Sequence, residues 1–166
     1  MYRHVLDLLA CPSCGNDQAF DLEVADEDGD DVITGALDCP KCQARFPVTG
    51  GVPRFAGTDS EEFDNFGFQW NKWSAIQIDR LSGHTLSEDR FLADSRWDPE
   101  WLRGRWILDA GCGAGRFADV AAKFGANVVA CDLSGAIDAC YRSTKDHDGR
   151  VTYIQASIYE LPFRSG

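Results

Sequence analysis

Three glycines spaced two apart, led by an acid, stand in Asp109-Ala110-Gly111-Cys112-Gly113-Ala114-Gly115. Glycine suits a backbone that must turn sharply and approach a ligand with no Cβ in between. The run follows the apolar Trp106-Ile107-Leu108 and leads into Arg116-Phe117-Ala118-Asp119-Val120-Ala121-Ala122, which is patterned as a helix. Free N–H groups at the start of that helix favour an anionic or electron-rich ligand group. A second strand, Asn127-Val128-Val129-Ala130-Cys131, ends in Asp132, 21 residues after Gly111. An acid at that place bonds ribose hydroxyls in nucleotide-binding α/β units.

A second chemistry-bearing set lies near the N-terminus. Cys11-Pro12-Ser13-Cys14 and Cys39-Pro40-Lys41-Cys42 are two C-x-x-C knuckles separated by 24 residues. Four thiolates in two such pairs suit tetrahedral Zn²⁺, or iron in its place, with no open position, which makes the site structural. A thioredoxin-like redox site needs one such motif opening a helix, not two matched pairs. Seven cysteines without a secretory leader argue against a disulfide framework. The insert between the knuckles predicts strands over 20–24 and 32–37. The acids from Ala25 to Asp31 read as the solvated tip between them.

These groups need a scaffold, and 166 residues hold one ordinary domain plus a metal-stapled small one. No apolar stretch approaches the ~20 residues that span a membrane. The net charge is −11, and four thiolates around a divalent ion would take it two units lower. That field repels phosphate backbones and disfavours direct nucleic-acid binding.

Between the two sets, residues 57–62 read as a polar linker. Phe63, Phe66, Trp70 and Trp73 follow at helical spacing, with Phe68 among them. They predict a helix packed by its aromatic face, a lid with Gln69-Trp70-Asn71 nearest the pocket, or both. Thr85-Leu86-Ser87-Glu88 is a capping-box pattern for a helix through Asp94. Asp98-Pro99 starts a short helix through Arg103. Cys112, Cys131 and Cys140 sit among small or apolar residues and read as buried hydrophobes. His4, His84 and His147 show no partner in the sequence and read as surface residues.

The spacing D-x-G-x-G-x-G resembles motif I of class I S-adenosylmethionine-dependent methyltransferases; dinucleotide dehydrogenases favour G-x-G-x-x-G instead. Val129-Ala130-Cys131-Asp132-Leu133-Ser134 resembles the family's second motif, and Tyr153 through Leu161-Pro162-Phe163 its third. The resemblance implies that Gly111, Gly113 and Gly115 allow close approach and that Asp109 serves the methionine amino end. It places Asp132 with Leu133 at the ribose, and Ser157 with Ile158 around adenine. Ser157 stands where that family commonly has Asp.

Leu8 to Gly15 and Phe46 to Pro53 resemble the small zinc-ribbon activator subunit of tRNA and release-factor methyltransferases. A similar ribbon is often fused in front of a bacterial methyltransferase domain. The implied fold is α/β: a partial Rossmann-like parallel sheet with an N-terminal four-Cys zinc ribbon. The expected organisation is a ribbon over 1–56, a linker and helical lid over 57–103, and a cofactor-binding half-domain over 104–166.

The implied function is S-adenosylmethionine-dependent methyl transfer in the cytoplasm. The acceptor, a small molecule or a protein, and any catalytic residue stay unassigned. The alternative is a non-catalytic activator or scaffold that docks on a separate methyltransferase. The family alternates seven strands with helices, and only three are read here, at 106–110, 127–132 and 151–155. The family's sheet is expected to put strand 106–110 at the centre, the third motif's strand on one side and a missing fourth strand on the other. The strand would then expose an edge and favour self-association.

Overall fold

The computed structural model describes residues 1–56 and 77–164. The linker 57–62 and the aromatic segment with Phe63, Phe66, Phe68, Gln69, Trp70, Asn71 and Trp73 lie outside the described residues.

A 3-10 helix, Arg3–Leu8, leads into the first knuckle. The strands β1 (Asp21–Asp28), β2 (Asp31–Asp38), β3 (Arg45–Thr49) and β4 (Val52–Pro53) follow as an antiparallel meander. The β1–β2 hairpin differs from the sequence expectation. Its strands continue through the acids and turn only at Gly29-Asp30, with Gly29 at φ 60°. Ladder bonds need no apolar side chains, and the acids on β1 stand exposed to water. Asp31 departs from the solvated reading. It is buried, takes the N-terminal amine of Met1, and accepts the Tyr141 hydroxyl at 2.8 Å.

Three short helices come next: α1 (Asp79–Ser82), α2 (Leu86–Ser95) and α3 (Pro99–Leu102). Helix α2 begins as the capping pattern predicts, with Thr85 at the N-cap, but the Thr85 side chain makes no cap bond. The Asp79 carboxylate does that work, accepting from Ser87 N at 2.9 Å and Glu88 N at 2.9 Å. The Thr85 hydroxyl turns to Asp89 at 3.0 Å instead. Helix α3 starts as expected, with Asp98 accepting from Glu100 N at 2.8 Å, and ends one residue before Arg103.

The second sheet is parallel: β5 (Trp106–Ala110), β6 (Asn127–Asp132) and β7 (Val151–Gln155). Helices α4 (Arg116–Lys123) and α5 (Ala136–Thr144) cross between them. The observed order is β5-β6-β7, so the third motif's strand sits beside β6 and not beside β5. Each crossover lays the next strand beside the one just finished, as consecutive elements commonly do, which corrects the expected placement. Among the described residues, β5 pairs with β6 alone.

The apolar core has two parts on opposite faces of this sheet. On one face, Ala118, Val120, Ala121, Ile137 and Cys140 of the helices meet Val128, Ala130, Val151 and Tyr153. Alanines let the helices lie close to the strands. On the other face, Met1, Val5, Leu9, Val32, Leu37 and Val48 of the ribbon meet Val129, Cys131, Ile154 and Ala156. The ribbon thus stands where a doubly wound sheet has its second helical layer. It also borders the β7 edge, through an Arg54–Gln155 parallel bridge and Phe55 N donating to Gln155 O at 2.8 Å. The face is held further by Ala10 N on Pro162 O at 2.9 Å.

Candidate functional site

Two tight turns bring the knuckle cysteines together. The four Sγ atoms of Cys11, Cys14, Cys39 and Cys42 lie within 4.8 Å of one another. Cys11–Cys42 and Cys14–Cys39 are each 3.7 Å apart. Tetrahedral Zn²⁺ with Zn–S near 2.3 Å requires sulfur–sulfur edges of about 3.8 Å, so the cage fits that ion. Asn16 Nδ2 approaches Cys39 Sγ at 3.9 Å. Burial works to raise the Cys39 thiol, but the backbone N–H groups of Cys42 and Lys41 together with the Cys42 and Cys11 side chains outweigh it and hold it down to about 6. Burial pushes Cys14 up to about 12. A cation bound among the four replaces their protons.

The glycine loop leaves β5 and enters α4. Gly111, Gly113 and Gly115 all have positive φ, at 79°, 54° and 87°. They do different things. A Cβ at Gly111 would meet nothing within 4 Å, so that position opens outward. A Cβ at Gly115 would strike Cys140 Sγ at 2.6 Å and Thr144 at 3.2 Å, so this glycine serves the contact between α4 and α5.

Asp132 ends β6 beside this loop. Its Oδ2 accepts from Gly113 N at 2.9 Å. Its Oδ1 accepts from Ser134 N at 2.9 Å and Ser134 Oγ at 2.7 Å. The Leu133 carbonyl accepts from Gln155 Nε2 at 3.0 Å. Asp109 ends β5 with its Oδ2 buried and, among the described residues, without a hydrogen-bond donor. Burial pushes its carboxyl up to about 6, the charge of Asp132 adds to this, and the Ala118 N–H works the other way. A buried acceptor left unmet is costly, and a cationic or donor group reaching it would remove that cost. Beyond β7, Ser157 Oγ accepts from Tyr159 N at 3.2 Å, and Ile158 is exposed.

The strand ends therefore gather Asp109, the glycines, Asp132 and Leu133, while Ser157 and Ile158 stand next in line after β7. Cys112, Cys131 and Cys140 are buried, as their surroundings predict. The Cys140 side chain and burial raise the Cys112 thiol, and burial raises Cys131 to about 11, so neither is a thiolate nucleophile at neutral pH. His4 is exposed, as the surface reading expects, while His84 and His147 are half-buried on acidic partners. His147 Nε2 meets the buried Asp119 at 2.7 Å, His84 Nδ1 meets Asp79 at 2.9 Å, and His4 stacks on Tyr2. Asp119 lies 28 residues from His147, so no spacing announces that pair.

Sequence reasoning missed Gln155 and Arg54, which link the ribbon to the Asp132 loop. A glutamine at a strand end and an arginine after a proline carry no pattern of their own.

Residues 108–166 match the model of a methyltransferase domain family, and residues 3–51 match that of the Trm112p-like proteins. A ubiquinone biosynthesis O-methyltransferase from Methylocella silvestris is 37% identical over 119 residues, covering 59% of this chain and 45% of its own length. The chain spans less than half the length of that curated relative. A solved TehB-like SAM-dependent methyltransferase from Corynebacterium glutamicum is 26% identical and covers 61% of this chain and 53% of its own, with a TM-score of 0.36. The cofactor and metal that go with the two family matches are S-adenosylmethionine and zinc. No helix among the described residues is long and apolar enough to cross a membrane. The chain joins a Trm112p-like four-Cys module to a methyltransferase domain in one polypeptide.

Proposed function

We propose that the strand ends of the parallel sheet bind S-adenosylmethionine for methyl transfer. The observation that carries this reading is the pairing of Asp132 with Gly113 N beside the buried, unmet Oδ2 of Asp109. On this reading Asp132 and Leu133 hold the ribose, and the glycines let the cofactor lie against backbone. Asp109 receives the methionine ammonium, and Ser157 with Ile158 line adenine. The sulfonium supplies an already activated methyl group, so the protein's task is alignment more than proton transfer. The expected organisation over 1–56, 57–103 and 104–166 is part of this proposal, with 104–166 as the cofactor-binding part. We place the protein in the cytoplasm, where seven reduced cysteines persist.

The exposed side of β5, with Trp106 48% and Leu108 43% exposed, supports a partner strand on that edge. We assign that place to a second copy of the chain. The competing reading is a scaffold that docks on a separate methyltransferase and binds no cofactor itself. The packed ribbon face supports the first reading, because its apolar side is already occupied within the chain. Calorimetric titration with S-adenosylmethionine decides between them: binding at one site per chain is expected, and none at millimolar ligand favours the scaffold.

A further inference from the structure

Arg54 lies where the ribbon's last strand reaches the parallel sheet. Its side chain is only 13% exposed. Nη2 donates to Thr49 O in the ribbon at 3.0 Å and to Asp138 Oδ1 on α5 at 2.5 Å. Nη1 donates to Gln155 Oε1 at 3.2 Å. Gln155 is buried, and its other end, Nε2, donates to Leu133 O at 3.0 Å. Leu133 follows Asp132, which holds Ser134 N and Gly113 N. A continuous hydrogen-bonded path thus runs from β3 of the ribbon to both loops at the strand ends.

The two ends of a glutamine amide have nearly the same shape. Sterics alone do not fix which end faces Leu133. The cation does, because a guanidinium only donates and so demands the oxygen. Without it, the amide can turn its oxygen toward the Leu133 carbonyl, setting acceptor against acceptor in a buried place.

We propose that Arg54 is a positioning residue for the cofactor loop: by orienting Gln155 it holds Leu133 and Asp132 in place, so that cofactor binding depends on the ribbon. This inference rests on the cofactor reading above.

Gln155→Glu is the decisive variant. It keeps an acceptor for Arg54, now charged, but removes the donor to Leu133 O. A residue that only glued the ribbon to the sheet would tolerate the change. The full zinc-loaded chain is titrated with S-adenosylhomocysteine, and amide exchange is read without ligand. Binding about tenfold weaker is expected in both Arg54→Ala and Gln155→Glu, the effect of one buried hydrogen bond. Exchange at Gly113 and Ser134 speeds up in both. In Gln155→Glu, zinc content and the exchange of Ala10, whose N–H bonds Pro162 O, stay as in the parent. Unchanged affinity and unchanged exchange at Gly113 and Ser134 in Gln155→Glu would overturn the inference. If the parent binds no S-adenosylhomocysteine but the two amides still exchange faster, the cofactor reading fails and the loop positioning stands. Should Arg54→Ala not fold, Gln155→Glu decides alone.

Discussion

Gly115 and Cys140 pack so closely that a Cβ on the glycine would lie 2.6 Å from the cysteine sulfur. The glycine also has φ 87°, where an L side chain is strained. Gly115→Ala therefore combines strain with overpacking and is expected to cost about 2–4 kcal/mol in urea unfolding. Gly111→Ala carries the strain alone, about 1–2 kcal/mol. Its new Cβ points into open space, so its main effect is expected on S-adenosylmethionine affinity. A similar stability loss in both variants would show that the two glycines do not divide the work this way.

Zinc removal is expected to do more than loosen the knuckles. The ribbon core is continuous with Val129, Cys131 and Ile154 of the sheet, so a ribbon without metal uncovers one sheet face. Chelation should abolish the cooperative unfolding transition of the whole chain, and Cys39→Ser should reproduce this without chelator. An unchanged melting curve after complete metal loss contradicts it.

Asp132→Ala is expected to weaken S-adenosylmethionine binding by about 1.5–3 kcal/mol, the worth of a hydrogen bond to a charged acceptor. From sequence, Asp138 on the following helix serves as an idle comparison. The structure removes it from that role, because Asp138 pairs with Arg54 at 2.5 Å. Asp30, exposed at the hairpin turn, is the better control, and Asp30→Ala should bind as the parent does. Equal affinity in the Asp132 and Asp30 variants would place the ribose elsewhere.

The Asp109 carboxyl, pushed up to about 6 by burial and by Asp132, gives a pH signature. Its unfolded value is near 3.9. The folded state thus holds the proton more tightly, and the stability this group contributes is full below about pH 4 and is lost as pH rises through about 6. Binding of an ammonium group wants the ionised form, so cofactor affinity should rise over the same window. Asp109→Asn should flatten both profiles. Calorimetry and thermal melts across that range test it, and a parent-like profile in Asp109→Asn assigns the titration to another group.

Strand β5 shows Trp106 and Leu108 to solvent and, among the described residues, pairs with β6 alone. Sedimentation at micromolar concentration is expected to show a dimer. Leu108→Lys should return it to an 18.3 kDa monomer with little loss of stability, since charge on an edge strand opposes pairing. A parent that is monomeric, with the amides of 106–110 strongly protected, points to cover from within the chain.

What the sequence disclosed were the features set by short spacing. The two knuckles, the glycine loop, the acid ending β6 and the Asp98-Pro99 helix start all depend on residues a few positions apart. What escaped depends on distant pairs. The N–H groups at the start of helix α2 bond Asp79, eight residues before Ser87, so the local Thr85 pattern named the right helix and N-cap position but not the side chain that bonds there. Asp31 looked like one more solvated acid and is buried against Met1 and Tyr141. The order of the parallel strands follows from which strand each crossover returns beside, which no single motif encodes. Arg54 and Gln155 gain their meaning only because the ribbon lies against β7.

The two margins of the parallel sheet are unequal: residues 54–56 border β7, while β5 stands open among the described residues. A sheet with one blocked end can extend in one direction only. When two copies meet by two-fold symmetry at β5, each covers the other's open margin of the parallel sheet, and that contact closes at two. Growth through the parallel sheet itself would need its other margin, which residues 54–56 border at Gln155. The module that carries the four-Cys cage thereby also limits how the parallel sheet can be extended.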